Sequence, residues 1–274
     1  MTPMTLDEVH AVLYDILVDI HEFCVENDIK YSLAGGTLLG AIRHNGFIPW
    51  DDDIDVQMSR PEYERFIHSY RSKRGYRLFC REVSGGEDVE VAFTRVCEME
   101  KTYVDTGAFP WKKESTGLWV DVVPIDGAPD NRREAMWKIR KMYFLWYITL
   151  AVRHTKKATF GSTKGVLKKI KYIIKKCLVT FISKELIVKY INLCQEYSYN
   201  KYSYIANYST MQNKFREWQP KKTMESFVLH RFENGEFFIM EDFETSLKSL
   251  YGNYMIFPPK EKQIAHINNL YYWK

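Results

Sequence analysis

Four aspartates stand within five consecutive positions of this chain: Asp51, Asp52, Asp53 and Asp55. At neutral pH their charges repel one another, at about 1–4 kcal/mol for each close pair at effective dielectric constants of about 80 to 20. A divalent cation would remove this repulsion, because carboxylate oxygens are its usual ligands. An acidic, solvated loop or a helix cap is the alternative explanation. Alternation of acidic and aliphatic residues over 53–56 favours the metal, since it puts both carboxylates on one face of a strand.

A further aspartate, Asp121, stands in the middle of an otherwise apolar stretch, 118–124, that predicts a strand. An unpaired charge in a buried strand is costly. We therefore predict that Asp121 is the third ligand of the same metal. The alternative is a structural aspartate that accepts hydrogen bonds from loop amides.

A glycine pair with a hydroxyl residue, Gly35, Gly36 and Thr37, precedes the aspartates. A glycine turn at a helix start lets backbone N–H groups approach phosphate oxygens, although such a pair is often only a turn. Arg43 either adds a charge-assisted hydrogen bond to that phosphate or is a surface arginine. A phosphate cradle with paired carboxylates and a distant third predicts metal-assisted phosphoryl or nucleotidyl transfer.

The elements that hold these residues follow from the apolar spacing. Thr5 and Glu8 predict a capping box at the start of the first helix. The pattern predicts helices over 6–27, 37–43 and 59–71 and strands over 29–34, 53–56, 76–80, 89–97, 101–105 and 118–124. After residue 131 the pattern predicts mainly helix.

Composition limits the class of protein. The chain has 274 residues, 46% of them hydrophobic, and a net charge of +4, which is typical of one large globular domain or two small ones. Its five cysteines are scattered, which argues against a disulfide framework and a structural zinc site. The N-terminus lacks the pattern of a secretory signal, and no apolar run is long enough to cross a bilayer. We expect a cytoplasmic protein.

Charge is concentrated in one region. Residues 132–189 contain sixteen Lys and Arg but two Glu. Within this region, residues 163–183 have an apolar helical face, and lysines occupy the remainder. This pattern is typical of an amphipathic helix that lies on anionic lipid, and it predicts a peripheral protein at the inner face of the plasma membrane. A helix that packs on the core with a solvated lysine face is the alternative.

Two sequence strings carry a family resemblance. Gly-Gly-Thr, then Asp-Ile-Asp-Val, then a later hydrophobic-Asp-hydrophobic strand resembles the nucleotidyltransferase superfamily, with its DNA-polymerase-beta-like core. The string over 38–55, Leu-Leu-Gly-Ala-Ile-Arg-His-Asn-Gly-Phe-Ile-Pro-Trp-Asp-Asp-Asp-Ile-Asp, resembles the LicD family of phosphocholine transferases, which is related to fukutin-type ribitol-phosphate transferases. The likeness extends to 119–127, Tyr251-Gly252, Pro258-Pro259 and His266. It departs from the family pattern at Asn253 and Met240.

The resemblance implies an α/β (α+β) fold: a nucleotidyltransferase mixed-sheet core over 1–130 and a mainly helical region over 131–274. It implies that phosphocholine passes from CDP-choline to a sugar hydroxyl of a teichoic-acid, lipopolysaccharide or other surface-glycan precursor, and that CMP leaves. Such acceptors are linked to lipid at the cytoplasmic membrane face. The implied cofactor is Mg²⁺, with Mn²⁺ as the alternative, and no nucleic acid is expected as a partner.

The resemblance also implies roles for single residues. Asp53 and Asp55 become the metal pair, and Asp121 ligates the metal or draws the proton from the acceptor hydroxyl. Asp51 and Asp52 tune the electrostatic field or meet a second ion, and Asp52 is also expected among the residues that contact substrate or its phosphates. Arg95 either faces the pyrophosphate or is a charge on the strand surface. His266 either hydrogen-bonds to substrate or packs beside its aliphatic neighbours.

Other functions stay open at this point. The alcohol phosphate that is carried is choline, ethanolamine, glycerol or ribitol phosphate. A conventional nucleotidyltransferase would instead move the nucleoside phosphate and release pyrophosphate. A non-enzymatic module that binds RNA or a surface through its lysine-rich segment would leave the buried carboxylates unexplained.

Overall fold

The computed structural model describes residues 1–80, 91–105, 117–157, 186–211, 213–265 and 270–274. The predicted basic segment 163–183 and His266 lie outside these residues. The helices are α1 (Leu6–Glu26), α2 (Gly35–His44), α3 (Arg60–Ser69), α4 (Arg132–Lys157), α5, of which residues 186–194 are described, and α6 (Phe243–Tyr251). None of the described helices is long and apolar enough to cross a membrane.

Twelve strands are present in the described residues. They are β1 (Thr2–Pro3), β2 (Ser32–Leu33), β3 (Asp55–Ser59), β4 (Arg77–Phe79), β5 (Thr94–Cys97), β6 (Thr102–Asp105), β7 (Trp119–Ala128), β8 (Tyr204–Ala206), β9 (Gln219–Pro220), β10 (Phe227–Phe232), β11 (Gly235–Met240) and β12 (Leu270–Trp273). The prediction of a mixed α/β protein is confirmed.

Helix α1 begins as its sequence predicts. The Glu8 amide donates to Thr5 Oγ1 at 3.3 Å, and the Thr5 amide donates to Glu8 Oε2 at 2.8 Å. This reciprocal pair satisfies two backbone donors that a helix start otherwise leaves without partners. The apolar face of α1 is buried in the larger apolar cluster of the protein. The predicted capping box and helix are confirmed.

The main sheet is mixed and is built around β7. Its strand order is β2-β3-β7-β5-β4, and β8 extends it by pairing with β7 and with β9. Strands β3 and β7 are parallel, whereas the other neighbours are antiparallel. The long strand β7 therefore lies between β3 and β5, so residues from three strands meet at its N-terminal half.

The expectation of a mainly helical region after residue 130 is wrong for its second part. Strands β8 to β12 all lie there, and β12 pairs with both β1 and β6. Strands β10 and β11 form a hairpin around Glu233, which has a left-handed φ of 54°. The Asn-Gly pair that follows Glu233 is a strong hairpin signal in the sequence.

Apolar residues form two buried clusters. The larger one lies under the main sheet and includes Met224, Phe237 and Leu247, so residues on both sides of the predicted boundary at 130 share one core. The smaller cluster joins α4, α5 and β8 through residues such as Ile139, Tyr190 and Ala206. The sheet that carries the aspartates is thus supported from both parts of the chain.

Candidate active site

Aspartates from β3 and β7 meet in register. Asp55 is the first residue of β3 and pairs with Asp121 of β7, and the Asp121 amide donates to the Ile54 carbonyl at 3.0 Å. Paired residues of neighbouring strands project to the same face, with the strands about 4.8 Å apart. Asp53 precedes the strand, yet burial alternates from it onward, because Asp53 and Asp55 are half-buried whereas Ile54 is fully buried. The sheet therefore brings the three predicted carboxylates together.

Burial and mutual repulsion dominate the electrostatics of this group. Burial, then the charge of Asp55, raises the pKa of Asp53 well above its ordinary value. Burial, then the charge of Asp121, raises the pKa of Asp55 to about 8. These shifts measure how poorly the site tolerates its own negative charge, which a bound cation would neutralise.

The donor set fits a hard divalent cation by its chemistry, since all three groups are carboxylates. Within the described ranges, however, no three His, Cys, Asp or Glu side chains are already arranged as a group that could hold a metal ion. The side chain of Asp121 is instead engaged by an arginine.

That arginine is Arg95, which lies opposite Asp121 on β5. Its Nε donates to Asp121 Oδ1 at 2.7 Å, and its guanidinium lies 4.3 Å from the centroid of the Trp119 ring. Burial raises the pKa of Asp121, whereas Arg95 lowers it. The predicted contact of Arg95 with a pyrophosphate stays a prediction; the structure places this arginine at the site through Asp121.

The glycine turn at the start of α2 lies directly against the aspartates. Gly35 has a left-handed φ of +51°, and a Cβ at Gly36 would lie 2.7 Å from Asp51 Oδ2. Thr37 Oγ1 accepts the backbone N–H of Asp55 at 2.9 Å. The glycine turn thus positions the acidic segment, and the sequence does not predict this role. The predicted contact of the turn with phosphate stays a prediction.

Asp51 and Asp52 are both buried, each only 4% exposed. Tyr271 of β12 donates its hydroxyl to Asp52 Oδ2 at 2.7 Å, and His10 Nε2 donates to the Asp51 carbonyl at 2.7 Å. These contacts fasten the acidic segment to β12 and to α1. They give Asp52 a structural role, and the predicted contact of Asp52 with substrate stays a prediction.

Arg43 lies at the other end of α2 from the glycine turn, about 12 Å along the helix axis from Gly35. Its Nη1 donates to the Tyr254 carbonyl at 2.9 Å, and its guanidinium lies 4.7 Å from the centroid of the Phe257 ring. The structure therefore places Arg43 between α2 and the segment after α6. Its binding to phosphate stays a prediction.

Two residues at the site come from the second half of the chain. Tyr251 Oη lies 3.8 Å from the position that a Cβ of Gly35 would take. Burial raises the pKa of Glu217 to about 7, and the Glu217 charge contributes to the raised pKa values of Asp55 and Tyr251. The sequence match already includes Tyr251, but nothing in the polar stretch around Glu217 distinguishes this glutamate.

One aspartate of β7 does not belong to the group. Asp126 accepts two hydrogen bonds from Arg60 of α3, from Nε at 2.7 Å and from Nη2 at 2.8 Å. Both side chains are largely buried. This bidentate pair ties α3 to β7 and leaves Asp126 a structural role.

The comparisons with known proteins place these residues in a family. The family model described as "LicD/FKTN/FKRP, nucleotidyltransferase domain" matches residues 28–161, which include Asp53, Asp55, Arg95 and Asp121. The chain is 31% identical over 275 residues to the "Lipopolysaccharide cholinephosphotransferase LicD" of Haemophilus influenzae, with 97% of each chain covered. It is also 38% identical over 146 residues to an uncharacterised protein of Rickettsia prowazekii, with 46% of this chain and 54% of that protein covered.

Proposed function

The chain belongs to the LicD family, and we propose that it is a phosphotransferase that moves phosphocholine from CDP-choline to a sugar hydroxyl of a cell-surface glycan. The observation that carries this proposal is the full-length similarity to a cholinephosphotransferase that acts on lipopolysaccharide. The acceptor class, whether lipopolysaccharide or teichoic acid, is part of the proposal. The register of Asp55 with Asp121 supports a site for phosphoryl transfer at the matched residues.

In this reaction the bond between the choline phosphate and the CMP phosphate breaks, and a new P–O bond forms to the sugar oxygen. CMP leaves with the electron pair of the broken bond, and the sugar hydroxyl loses its proton. Asp53 and Asp55 would hold Mg²⁺ or Mn²⁺, with Asp121 either as a third ligand or as the acceptor of the hydroxyl proton. When bound, this cation would neutralise negative charge on the phosphates.

Asp121 is the residue that we assign to the acceptor proton. Arg95 lowers the pKa of the Asp121 carboxyl by donating to Oδ1, which keeps more of this group ionised and able to accept a proton. Arg95 is therefore a positioning residue for Asp121. Since the hydrogen bond joins neighbouring strands, the sheet itself holds the pair in place.

The start of α2 supplies a binding site for the donor phosphates. Ala34 stands at the N-cap and has no side chain that caps the first turn. Backbone N–H groups at such a helix start attract anions. Gly35, Gly36 and Thr37 contribute these groups beside the aspartates. The same arrangement of a glycine turn, a helix and acidic strands supports a nucleotidyltransferase fold with a DNA-polymerase-beta-like core.

We also propose a location at the inner face of the plasma membrane. Residues 163–183 carry lysines around an apolar helical face in the sequence, and basic amphipathic helices bind anionic lipid. A lipid-linked acceptor would be presented at that surface.

Product analysis tests the reaction. The purified protein would be incubated with Mg²⁺, a glycan acceptor and each of CDP-choline, CDP-ethanolamine, CDP-glycerol and CDP-ribitol. We expect CMP release and a phosphocholine-modified acceptor with CDP-choline. Preferred use of another CDP-alcohol would reassign the donor, and a nucleotidylated acceptor with released pyrophosphate from a nucleoside triphosphate would replace the proposal by conventional nucleotidyl transfer.

A variant of the proposed metal ligands is compared with a control variant at an exposed aspartate. Asp53→Asn/Asp55→Asn removes the proposed metal ligands, and we expect CMP release to fall by about 10²-fold or more. Asp7→Asn changes an exposed aspartate in the first turn of α1 and should leave the rate unchanged. Full activity of the double variant would contradict the catalytic assignment.

A further inference from the structure

The segment that follows α6 exposes three consecutive apolar side chains. Met255, Ile256 and Phe257 are between 52% and 67% exposed. Soluble proteins avoid such runs unless they serve a function, since they favour association. The apolar run is followed by exposed Lys260 and Lys262, with Glu261 between them. The segment is therefore apolar at its tip and net basic at its base.

A second exposed group lies along one face of α4. Trp137, Phe144 and Tyr147 are between 61% and 64% exposed. Exposed Arg133 and Arg140 complete a stripe at the spacing 133, 137, 140, 144 and 147, which follows a single helix face. The exposed acid beside it, Glu134, accepts the Tyr197 hydroxyl at 2.7 Å. Aromatic and cationic side chains thus alternate along this face.

The 3₁₀ helix Lys214–Glu217 contacts both α4, which carries the second group, and α6, which precedes the first. Arg140 of α4 lies with its guanidinium 5.6 Å from the centroid of the Phe215 ring. On the other side, Arg216 Nη1 donates to the Leu250 carbonyl at 2.8 Å, and Ser249 Oγ donates to the Arg216 carbonyl at 2.7 Å. This same 3₁₀ helix carries Glu217, so α4 and α6 both contact an element whose charge acts on the candidate active site.

We propose that the loop at residues 255–257 and the aromatic face of α4 together bind the surface of an anionic lipid membrane. Apolar side chains of this kind enter the boundary between headgroups and acyl chains, and aromatic residues with a polar edge favour that depth. The arginines and lysines among them complement anionic headgroups. The exposed Lys260 and Lys262 favour a lipid surface over a protein partner, because protein interfaces are depleted of lysine although they are enriched in aromatic residues and arginine.

The consequence for the reaction rests on the proposed function, whereas the lipid binding does not. Bound in this way, the protein would present the edge of its site that contains Tyr251 to the membrane. A lipid-linked sugar would then reach the aspartates without leaving the bilayer surface.

Vesicle co-sedimentation of the full chain tests the proposal. Vesicles of phosphatidylcholine would be compared with vesicles of equal parts phosphatidylcholine and phosphatidylglycerol. We expect at least tenfold stronger binding to the anionic vesicles, since each basic residue near such a surface contributes about a fivefold gain. Wild-type protein that fails to bind anionic vesicles, or that binds both kinds equally, would overturn the proposal.

Substitutions identify the surface. Met255→Ser/Ile256→Ser/Phe144→Ser should weaken binding to anionic vesicles at least tenfold. The control Val25→Ser/Val228→Ser/Leu229→Ser changes three exposed apolar residues elsewhere and should change binding less than twofold. Thermal unfolding of each variant confirms that it is folded. The proposal fails if the first variant binds as the wild type does, since binding would then reside in another part of the chain, or if both triple variants lose binding equally.

Charge reversal provides the second arm. Arg133→Glu/Lys260→Glu/Lys262→Glu should reduce the preference for anionic vesicles at least tenfold, since the lysines of residues 163–183 are unchanged in this variant. The control Lys101→Glu/Lys201→Glu/Lys222→Glu reverses three exposed cationic residues outside the proposed surface and should retain most of the preference for anionic vesicles. An equal loss in both variants would indicate a response to total charge alone and would contradict the assigned surface.

Discussion

Asp55 and Asp121 are paired residues on the parallel strands β3 and β7, and the pKa of each carboxyl is raised by burial. The charge of Asp121 is the largest electrostatic contribution to the pKa of Asp55. Two acids that meet in this way destabilise the fold when both are ionised. The metal-free protein should therefore show this cost in its stability.

We predict that the metal-free protein is more stable at mildly acidic pH than at pH 8 and above. Asp55 has a folded-state pKa of about 8, whereas the unfolded value is about 3.9. A raised folded pKa means that the folded state binds more protons over this interval, so stability falls as the pH rises from about 4 through about 8. Urea unfolding at a series of pH values measures this slope.

Asp55→Asn should flatten that slope, and Mg²⁺ should flatten it in the wild type. Asp7→Asn serves as the control and should keep the wild-type slope. An unchanged slope in Asp55→Asn would show that this carboxyl is not the group that titrates.

We predict that Arg95→Ala moves the acidic limb of the pH–rate profile to higher pH. Arg95 lowers the pKa of Asp121 through the hydrogen bond from Nε to Oδ1, so its removal leaves burial unopposed. A shift of about one unit or more is expected for loss of a close opposite charge. Arg95→Lys should shift the limb less. A lower rate with an unshifted profile would instead indicate that Arg95 acts on substrate directly.

We predict that Gly36→Ala reduces both stability and activity. The added Cβ would lie 2.7 Å from Asp51 Oδ2, closer than van der Waals contact allows. Because Asp51 is buried and its short side chain has little room to turn away, we expect the cost of overpacking, about 1–3 kcal/mol. The free energy of unfolding would be measured in urea for Gly36→Ala, for Asp51→Ala and for the double variant. If the contact is responsible, Gly36→Ala will cost less in the Asp51→Ala background; strictly additive effects would exclude it.

We predict that Arg60→Ala destabilises the protein by about 3–5 kcal/mol, because it leaves the buried Asp126 carboxylate without its bidentate partner. Lys248→Ala breaks an exposed ion pair with Glu244 on α6 and should cost about 1 kcal/mol or less. Urea unfolding compares the two variants. If both variants lose a similar free energy of unfolding, burial of the Arg60–Asp126 pair does not increase its contribution to stability.

The sequence predicted those parts of the site that depend on local periodicity. The alternation of acidic and aliphatic residues over 53–56 indicates that Asp53 and Asp55 share one face of a strand, since side chains alternate between the two faces of a strand. Asp121 was identified by its charge within an apolar strand. The hydrogen bond between Arg95 and Asp121 depends on the register of β5 against β7. The register between strands that are far apart in sequence cannot be predicted from local patterns in a single sequence.

Other parts of the structure were missed for different reasons. The hairpin of β10 and β11 forms at an Asn-Gly pair, a local signal that the prediction of a mainly helical region did not take into account. Glu217 reaches the site through the packing of a 3₁₀ helix between α4 and α6, and no motif in the surrounding sequence distinguishes it from other glutamates. The contact between Gly36 and Asp51 could be identified only from the structure, because the sequence of a glycine turn does not show which side chain packs against it.

The hydrogen bond from Tyr271 to Asp52 spans 219 positions of the chain. During translation, the ribosome adds these residues after Asp52 before the tyrosine exists, which takes roughly 10–40 s at about 5–20 residues per second. Strand β12, which carries Tyr271 and joins β1 to β6, is also missing throughout that interval. A nascent chain therefore carries its acidic segment without this fastening, and the geometry at the aspartates is completed only after synthesis of the C-terminal strand.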